Sequence, residues 1–177
     1  MRIIRGTHRG RKITPPANLP VRPTTDLAKE SLFNILDNHL YFEDLKVLDL
    51  YSGTGSIAYE FASRGAKLVI AVDINPKCTG FINDTALKLG LLHMKVVRSS
   101  SIGFLNHCFE KFDLIFADPP YELEGVEEVI NIVFSKNLLC ENGWLVIEHA
   151  QGKEFSAFPG FYEHRNYGKV NFSFFRK

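Results

Sequence analysis

The segment Asp118-Pro119-Pro120-Tyr121 places a carboxylate, two prolines and an aromatic ring directly after the apolar run Leu114–Ala117. A residue before proline is kept out of the helical region, so the backbone holds Asp118 extended and aims its carboxylate. Neither proline has an N–H, so the nearby carbonyls meet no competing backbone donor. We predict these four residues as catalytic: Asp118 and the Pro119 carbonyl accept the two N–H groups of a nucleobase amine, and Tyr121 stacks on the base.

Such an amine needs help to react, because its lone pair is delocalised into the ring. Acceptors on both hydrogens favour a pyramidal nitrogen and help to bear the charge that develops as it attacks. The protein then supplies orientation and electrostatics, and a cofactor supplies the electrophile. The turn therefore predicts group transfer to an exocyclic amine, of guanine or of adenine alike.

A glycine-rich loop follows the earlier apolar run Val47–Leu50. Its pattern Gly53-x-Gly55-x-x-Ala58 fits a nucleotide-binding loop, and Asp73 ends the next apolar run twenty residues after Gly53. Asp73 is placed to accept both ribose hydroxyls of an adenosine. The loop alone does not choose among nicotinamide enzymes, flavoproteins and methyltransferases, since all of them use one.

The acid at Asp49 favours one of these classes. A pyrophosphate above the helix N-terminus would be repelled by a carboxylate at the adjoining strand end. S-adenosylmethionine (SAM) has no phosphate and carries a sulfonium and an ammonium, so an acid there is favourable. We therefore predict SAM as the cofactor.

The elements that position these residues alternate along the chain. Thr25 or Asp26 can cap a helix running to about His39, and Gly125–Phe134 has helical apolar spacing. Between helical segments lie five short apolar strands, which predict a mostly parallel sheet with helices on both faces; they are Val47–Leu50, Leu68–Val72, Lys95–Val97, Leu114–Ala117 and Trp144–Glu148.

Both ends of the chain depart from this alternation. Phe161–Arg165 and Val170–Phe175 flank Asn166-Tyr167-Gly168-Lys169, a hairpin signal that brings the sheet to seven strands with an antiparallel end. At the start, Ile3-Ile4 and Lys12-Ile13 flank a polar turn and predict a hairpin arm. Four prolines between residues 15 and 23 then predict an extended linker.

Charge is unevenly distributed between the arm and the remainder. Residues 1–22 hold six basic side chains and no acid, whereas the remaining residues hold 15 basic and 20 acidic ones. We predict that this arm contacts a polyanion, with RNA-binding residues Arg2, Arg5, Arg9, Arg11, Lys12 and Arg22. A merely solvated arm is the alternative. The predicted organisation is an arm over residues 1–24 and a catalytic domain over residues 25–177.

Composition excludes several other classes. No apolar run approaches the roughly 20 residues that a membrane helix needs, and no apolar stretch of a secretory signal follows the basic start. The three cysteines form no CxxC pair and the six histidines have no metal-ligand spacing, so we predict no metal. We expect a reduced, cytoplasmic protein without a membrane partner. We also expect it to be a monomer.

The whole chain resembles the class I SAM-dependent methyltransferases, and more narrowly the bacterial family that methylates N2 of a guanine in 16S ribosomal RNA. The resemblance is carried by segments along nearly the full length, of which the first two are the most specific: Met1-Arg2-Ile3-Ile4 with Arg9-Gly10-Arg11-Lys12, Arg22-Pro23-Thr24-Thr25-Asp26 with Glu30 and Leu32-Phe33-Asn34, Val47 to Gly55, Ala71-Val72-Asp73, Asp118 to Tyr121, and Tyr167-Gly168.

The resemblance implies a Rossmann-like methyltransferase fold, the small ribosomal subunit or its assembly intermediate as partner, and roles for particular residues. By the resemblance, Gly53, Gly55 and Asp73 would hold SAM, Thr24 and Thr25 would close over it, and Asp118 with Tyr121 would hold the target guanine. We also predict Asp49, Tyr51 and Ile74 as cofactor contacts. One position departs from the family: where an acid usually contacts the adenine amine, this chain has Ser100, a weaker acceptor.

Three alternatives stay open. An adenine-N6 methyltransferase would use the same Asp118 turn, although DNA enzymes of that kind normally add a recognition domain. A protein or small-molecule methyltransferase would leave the basic arm unexplained. A non-catalytic RNA-binding assembly module would keep the arm and tolerate Asp118→Ala.

Overall fold

The computed structural model describes residues 1–21, 25–120, 125–168 and 170–177. Helices and strands alternate in these residues up to β5, and two further strands follow: α1 (Asp26–Leu36), β1 (Lys46–Leu50), α2 (Ser56–Ser63), β2 (Leu68–Asp73), α3 (Pro76–Lys88), β3 (Met94–Arg98), α4 (Ser101–His107), β4 (Phe112–Ala117), α5 (Val126–Ser135), β5 (Leu139–His149), β6 (Phe161–Tyr167) and β7 (Val170–Arg176).

The strands form one seven-stranded sheet in the order β3-β2-β1-β4-β5-β7-β6. The first five pair in parallel, whereas β7 pairs antiparallel with both β5 and β6. Apolar clusters cover both faces, so the central strands are buried on both sides and have continuous apolar sequences. The predicted doubly wound sheet with an antiparallel C-terminal hairpin is confirmed.

The predicted extent of the first helix is wrong by about one turn. Helix α1 ends at Leu36 rather than at His39, because the amides of Asn38 and His39 bond to carbonyls three residues back in a tighter turn. Asp37 caps the helix, and its carboxylate is held by Arg5 and Arg64. Strand β5 is also longer than predicted, since it begins at Leu139.

The N-terminal arm forms the predicted hairpin and packs against the domain. Arg2 and Lys12 form an antiparallel bridge, and the Ile3 amide donates to the Arg11 carbonyl at 2.9 Å. Ile3 and Ile13 are buried in the apolar cluster that also contains residues of α1 and α2. The arm is therefore part of the core on that face of the sheet.

A buried ionic network fixes the arm in place. The carboxylate of Glu60, fully buried in α2, accepts the amides of Ile4 at 2.8 Å and Arg5 at 3.0 Å. Arg64 donates to it at 2.9 Å, and the buried Lys29 ammonium lies 3.7 Å away. We call Glu60, Lys29 and Arg64 the Glu60 anchor.

Gly6 makes this docking possible. Its φ of +83° is in the left-handed region, and a Cβ there would overlap the Ser63 carbonyl oxygen. Only glycine lets the arm approach α2 this closely. Within the described residues, no helix is both long and apolar enough to span a membrane.

Candidate active site

The carboxyl ends of β1, β2, β4 and β5 border one cavity of about 830 Å³. Parallel strands end at the same edge of a sheet, so the loops that follow them meet there. Residues of α1, α4 and α5 line its other sides. Because β1 and β4 are neighbours, the glycine loop and the Asp118-Pro119-Pro120 turn share this cavity although they are far apart in sequence.

Most of the predicted cofactor-binding and catalytic residues line this cavity; they are Thr25, Asp49, Tyr51, Gly53, Asp73, Ile74, Ser100, Asp118, Pro119 and Pro120. Gly55 is the N-cap of α2 and does not line the cavity. Thr24 and Tyr121 lie outside the described residues, so their predicted roles remain predictions.

The glycine loop turns through a run of left-handed residues. Tyr51, Gly53 and Gly55 have φ values of +60°, +54° and +78°. A Cβ on Gly55 would lie 2.8 Å from an atom of the Tyr59 ring, so this glycine is required by packing against α2. The loop amide of Gly53 donates to the Asp73 carboxylate at 2.8 Å, which ties the loop to the end of β2.

Asp73 is held by two backbone donors. One of its oxygens accepts the Gly53 amide and the other accepts the Asn75 amide at 2.8 Å. A carboxylate has about four acceptor sites, so each oxygen keeps one for a ligand hydroxyl. The geometry therefore leaves Asp73 able to accept the ribose hydroxyls assigned to it.

Thr25 and Ser100 are both helix caps at the cavity wall. The Thr25 hydroxyl accepts the Ala28 amide at 3.2 Å, and the Ser100 hydroxyl accepts the Gly103 amide at 3.1 Å. Each hydroxyl oxygen can accept one further bond. Ser100 can therefore accept a hydrogen bond from an adenine amine. Ile74 is 68% exposed and offers an apolar surface to the adenine ring.

Asp49 carries the clearest sign of a missing partner. It is 1% exposed, and its Oδ2 has no hydrogen-bond partner among the described residues. Burial, with repulsion from Asp118 and Asp73, raises the pKa of Asp49 to about 8. A buried acid of this kind is completed by a cation or by N–H donors.

Asp118 directly follows β4, the strand between β1 and β5, and lines the cavity. Desolvation raises the pKa of Asp118 above its usual range. Pro119 is buried beside it and Pro120 is exposed, so the turn forms one fixed wall of the cavity. The carboxylate is thus positioned to accept from an incoming base.

The charged side chains that line the cavity in the described residues are all acids: Asp49, Asp73, Asp118, Glu128 and Glu148. No lysine, arginine or histidine is among its lining residues there. A dinucleotide pyrophosphate would be repelled, whereas a sulfonium and an ammonium would be attracted. The unpartnered oxygen of Asp49 and this charge pattern fit SAM, which Asp49, the glycine loop and Asp73 would hold.

Sequence reasoning missed Glu148, the last residue but one of β5. It is 5% exposed, lines the cavity, and its Oε2 has no partner among the described residues. Burial and the Asp118 carboxylate raise the pKa of Glu148. Its signal was the same as that of Asp118, an acid at the carboxyl end of an apolar parallel strand.

The predicted RNA-binding residues divide into two groups. Arg2 pairs with Asp26 and Glu30, each at 3.2 Å, and Arg5 pairs with Asp37 at 2.8 Å. In the other group Arg9, Arg11 and Lys12 are exposed near the turn of the arm and pair with no acid of the described chain. Arg22 lies outside the described residues.

Known proteins resemble this chain over most of its length. The chain is similar to ribosomal RNA small subunit methyltransferase D of Haemophilus influenzae, with 36% identity over 82% of this chain and 73% of that protein. It is similar to the protein of the same name from Escherichia coli, with 35% identity over 84% and 71% of the two chains.

Solved structures agree with the fold. The candidate methyltransferase yhhF of Escherichia coli covers 100% of this chain and 97% of its own, with 25% identity and a TM-score of 0.88. A hypothetical protein of Thermus thermophilus covers 100% and 99%, with 23% identity and a TM-score of 0.87. The fold and the acidic cavity thus define a class I methyltransferase that uses SAM. The model of the family described as Conserved hypothetical protein 95 matches residues 1–176, and the chain belongs to that family.

Proposed function

We propose that this protein methylates the exocyclic N2 amine of a specific guanine in 16S ribosomal RNA. The observation that carries the proposal is the meeting of the Asp118-Pro119-Pro120 turn and the SAM-binding loop in one acidic cavity. The names of the two relatives support RNA of the small ribosomal subunit as the substrate.

The residues of this chain orient the reacting amine. Asp118 accepts one N–H of the amine and the Pro119 carbonyl accepts the other, so the nitrogen lone pair faces the cofactor side of the cavity. SAM, when bound, supplies an electrophilic methyl group. As the nitrogen gains positive charge and loses a proton, the Asp118 carboxylate stabilises the charge and can take that proton, because its pKa is raised by burial.

Arg9, Arg11 and Lys12 supply the contact with RNA phosphates in this proposal. They have no acid partner in the described residues, whereas Arg2 and Arg5, although also exposed, pair with acids of α1 and with its C-cap Asp37. Moving a base out of its stack costs a few kcal/mol, and phosphate contacts offset that cost. The arm thus contacts the RNA phosphates, and the cavity receives the target base of the same RNA.

The test is a labelling assay. The protein is incubated with methyl-labelled SAM and small ribosomal subunits from cells that lack this protein, and the digested RNA is separated into nucleosides. The proposal expects label in N2-methylguanosine with the wild type and with Asp84→Asn, an exposed-acid control on α3. Over the same short interval it expects about 10²- to 10³-fold less label with Asp118→Ala.

Each other outcome identifies a different error. Label in N6-methyladenosine would keep the amine chemistry and overturn the guanine assignment. Label absent from RNA, with SAM still bound, would point to a protein, DNA or small-molecule acceptor. RNA binding that is equal in wild type and Asp118→Ala, with no label in either, would favour an assembly module.

A further inference from the structure

Glu148 is a second acid at the base-binding end of the cavity. Cross-strand pairing matches Ala117 of β4 with Ile147 of β5, so the next residues of the two strands, Asp118 and Glu148, lie opposite each other. Side chains alternate between faces, and both acids therefore follow Phe116 and Val146 onto the same face of the sheet. Repulsion from Asp118 contributes to the raised pKa of Glu148, which agrees with this proximity.

Glu148 lies away from the cofactor loop. The sheet order β2-β1-β4-β5 puts Asp73 and Asp49 on two strands at one side of Asp118, and Glu148 on the strand at its other side. Neighbouring strands are about 4.8 Å apart, so β5 is about 10 Å from β1. A donor that completes Glu148 therefore belongs to the molecule that contacts Asp118 from the side opposite the glycine loop.

We propose that Glu148 selects guanine over adenine by accepting the N1–H of the target base. This inference rests on the proposed function and names the feature that sets its base specificity. Guanine presents N1–H directly beside its N2 amine, so two adjacent acids match two adjacent donor positions. Adenine presents a lone pair at N1 beside its N6 amine, and the ionised Glu148 carboxylate opposite it would be repelled. Burial and the Asp118 carboxylate raise the pKa of Glu148 to about 8, so the selection acts through the ionised form, which the guanine N1–H stabilises.

The unpartnered oxygen supports this role. Glu148 Oε2 is buried and receives no hydrogen bond from the described residues, although such groups in folded proteins nearly always have a donor. The N1–H of guanine provides that donor when the base enters. A site built around a hydrogen bond rejects the analogue that lacks it, because the buried group is then left unpaired.

The experiment separates the N2 amine from the N1–H. Once the methylated nucleotide is mapped by the labelling assay, small subunits are reconstituted with guanine or with 2,6-diaminopurine at that one position. Diaminopurine keeps the 2-amino group but has a lone pair at N1. Single-turnover rates are measured at pH 8.5, where most of Glu148 is ionised. They are compared for the wild type, Glu148→Gln, Glu148→Asp and Glu141→Gln, a control at the exposed other end of β5.

The wild type and Glu141→Gln should prefer guanine by about 10- to 100-fold, the range for a hydrogen bond to a charged group. Glu148→Gln should bring this ratio close to one, because an amide can donate to the N1 lone pair as well as accept from N1–H. Glu148→Asp keeps the carboxylate and should retain part of the preference. SAM affinity, which also reports folding, should change less than threefold in all variants, by about 0.6 kcal/mol or less.

Two results would overturn this inference and leave the proposed function standing. In the first, Glu148→Gln keeps the wild-type ratio of the rates on guanine and on diaminopurine. In the second, the SAM affinity of Glu148→Gln falls by as large a factor as its methyl-transfer rate. The latter would make Glu148 a cofactor contact. A wild type that forms no N2-methylguanosine in the labelling assay would overturn the proposed function and this inference with it. The two failures are therefore distinguished by the wild-type product.

Discussion

Glu60 and Glu148 are both almost completely buried, but their surroundings are opposite. Glu60 accepts two backbone amides and the Arg64 side chain, with Lys29 nearby, whereas Glu148 has an oxygen without any partner in the described chain. The first acid joins the arm to the domain and the second faces the cavity. A buried acid whose partners belong to the chain contributes to folding, whereas a buried acid that lines a cavity and lacks a partner in the described residues is a candidate ligand contact.

The same contrast divides the basic side chains of the arm. Arg2 and Arg5 are paired with acids of α1 and its C-cap, while Arg9, Arg11 and Lys12 are exposed without such pairing in the described residues. All five side chains are exposed, so the difference is in pairing: acids of the chain hold Arg2 and Arg5, whereas the other three have no acid partner in the described residues. Four sets of substitutions test this contrast.

The largest effect is expected from Glu60→Gln. Breaking a buried ion pair by removing one partner costs about 3–5 kcal/mol. Here the buried Lys29 ammonium loses its acid, and Arg64 keeps only Asp37. Urea unfolding at pH 8 should show this loss. Glu148→Gln is the matched control, and it should leave the unfolding free energy unchanged or raise it, since it removes a buried acid that lacks a partner. Equal destabilisation by the two changes would contradict the contrast.

Asp118→Ala should lower the methyl-transfer rate by about 10²–10³-fold, the usual cost of losing one group that stabilises developing charge. SAM affinity should stay within a few-fold of the wild type, because the cofactor is assigned to Asp49, Gly53 and Asp73. Single-turnover kinetics and calorimetry measure the two quantities. A variant that loses SAM binding and rate together would place Asp118 in the cofactor site instead.

Asp49→Asn should weaken SAM binding by about 10- to 100-fold at pH 8.5, since a hydrogen bond to a charged group is lost. The pKa of Asp49 is about 8 in the fold, against about 4 when unfolded. The cofactor-free wild type should therefore lose stability as pH rises from about 4 through 8, because only the folded state keeps the proton.

SAM affinity of the wild type should rise over the upper part of that pH range, because a cation binds the ionised carboxylate. Both pH trends should be shallower in Asp49→Asn, although Asp118 and Glu148 still titrate. Thermal unfolding and calorimetry between pH 5 and 9 measure them. Identical pH trends in the wild type and in Asp49→Asn would show that ionisation of Asp49 does not control SAM binding.

The smallest effect is expected at the arm. Neutralising Arg9, Arg11 and Lys12 to alanine should weaken RNA binding about tenfold at moderate salt and lower the slope of log affinity against log salt by about 2. SAM affinity should not change. The matched control replaces three exposed lysines elsewhere, Lys67, Lys88 and Lys111, and should have little effect. An equal effect of both triple variants would indicate general charge attraction.

The sequence predicts the sheet because alternating strands and helices are local patterns. The glycine loop, Asp73 and the Asp118 turn are also local, and their meeting follows once β1 and β4 are neighbours. The Glu60 anchor was not predicted, because its partners come from residues 4, 5, 29 and 64 and only the folded chain brings them together.

Two further features depend on tertiary structure. Helix α1 ends early because its last turn tightens at Asp37, whose carboxylate is held by Arg5 and Arg64. Glu148 reads as the polar end of an ordinary apolar strand, and only its burial without a partner distinguishes it. Pairing, burial and missing partners are properties of the fold, and they separate the acids proposed to bind ligands from the acid that joins the arm to the domain.

The most direct test of the account is nucleoside mass spectrometry of small-subunit RNA from cells that lack this protein. Cells complemented with the wild type or with Asp84→Asn should regain one N2-methylguanosine per subunit, and cells with Asp118→Ala should not, at equal protein levels. Full restoration by Asp118→Ala, or an unchanged N2-methylguanosine content when the protein is absent, would contradict the assignment of this cavity as the site of guanine methylation.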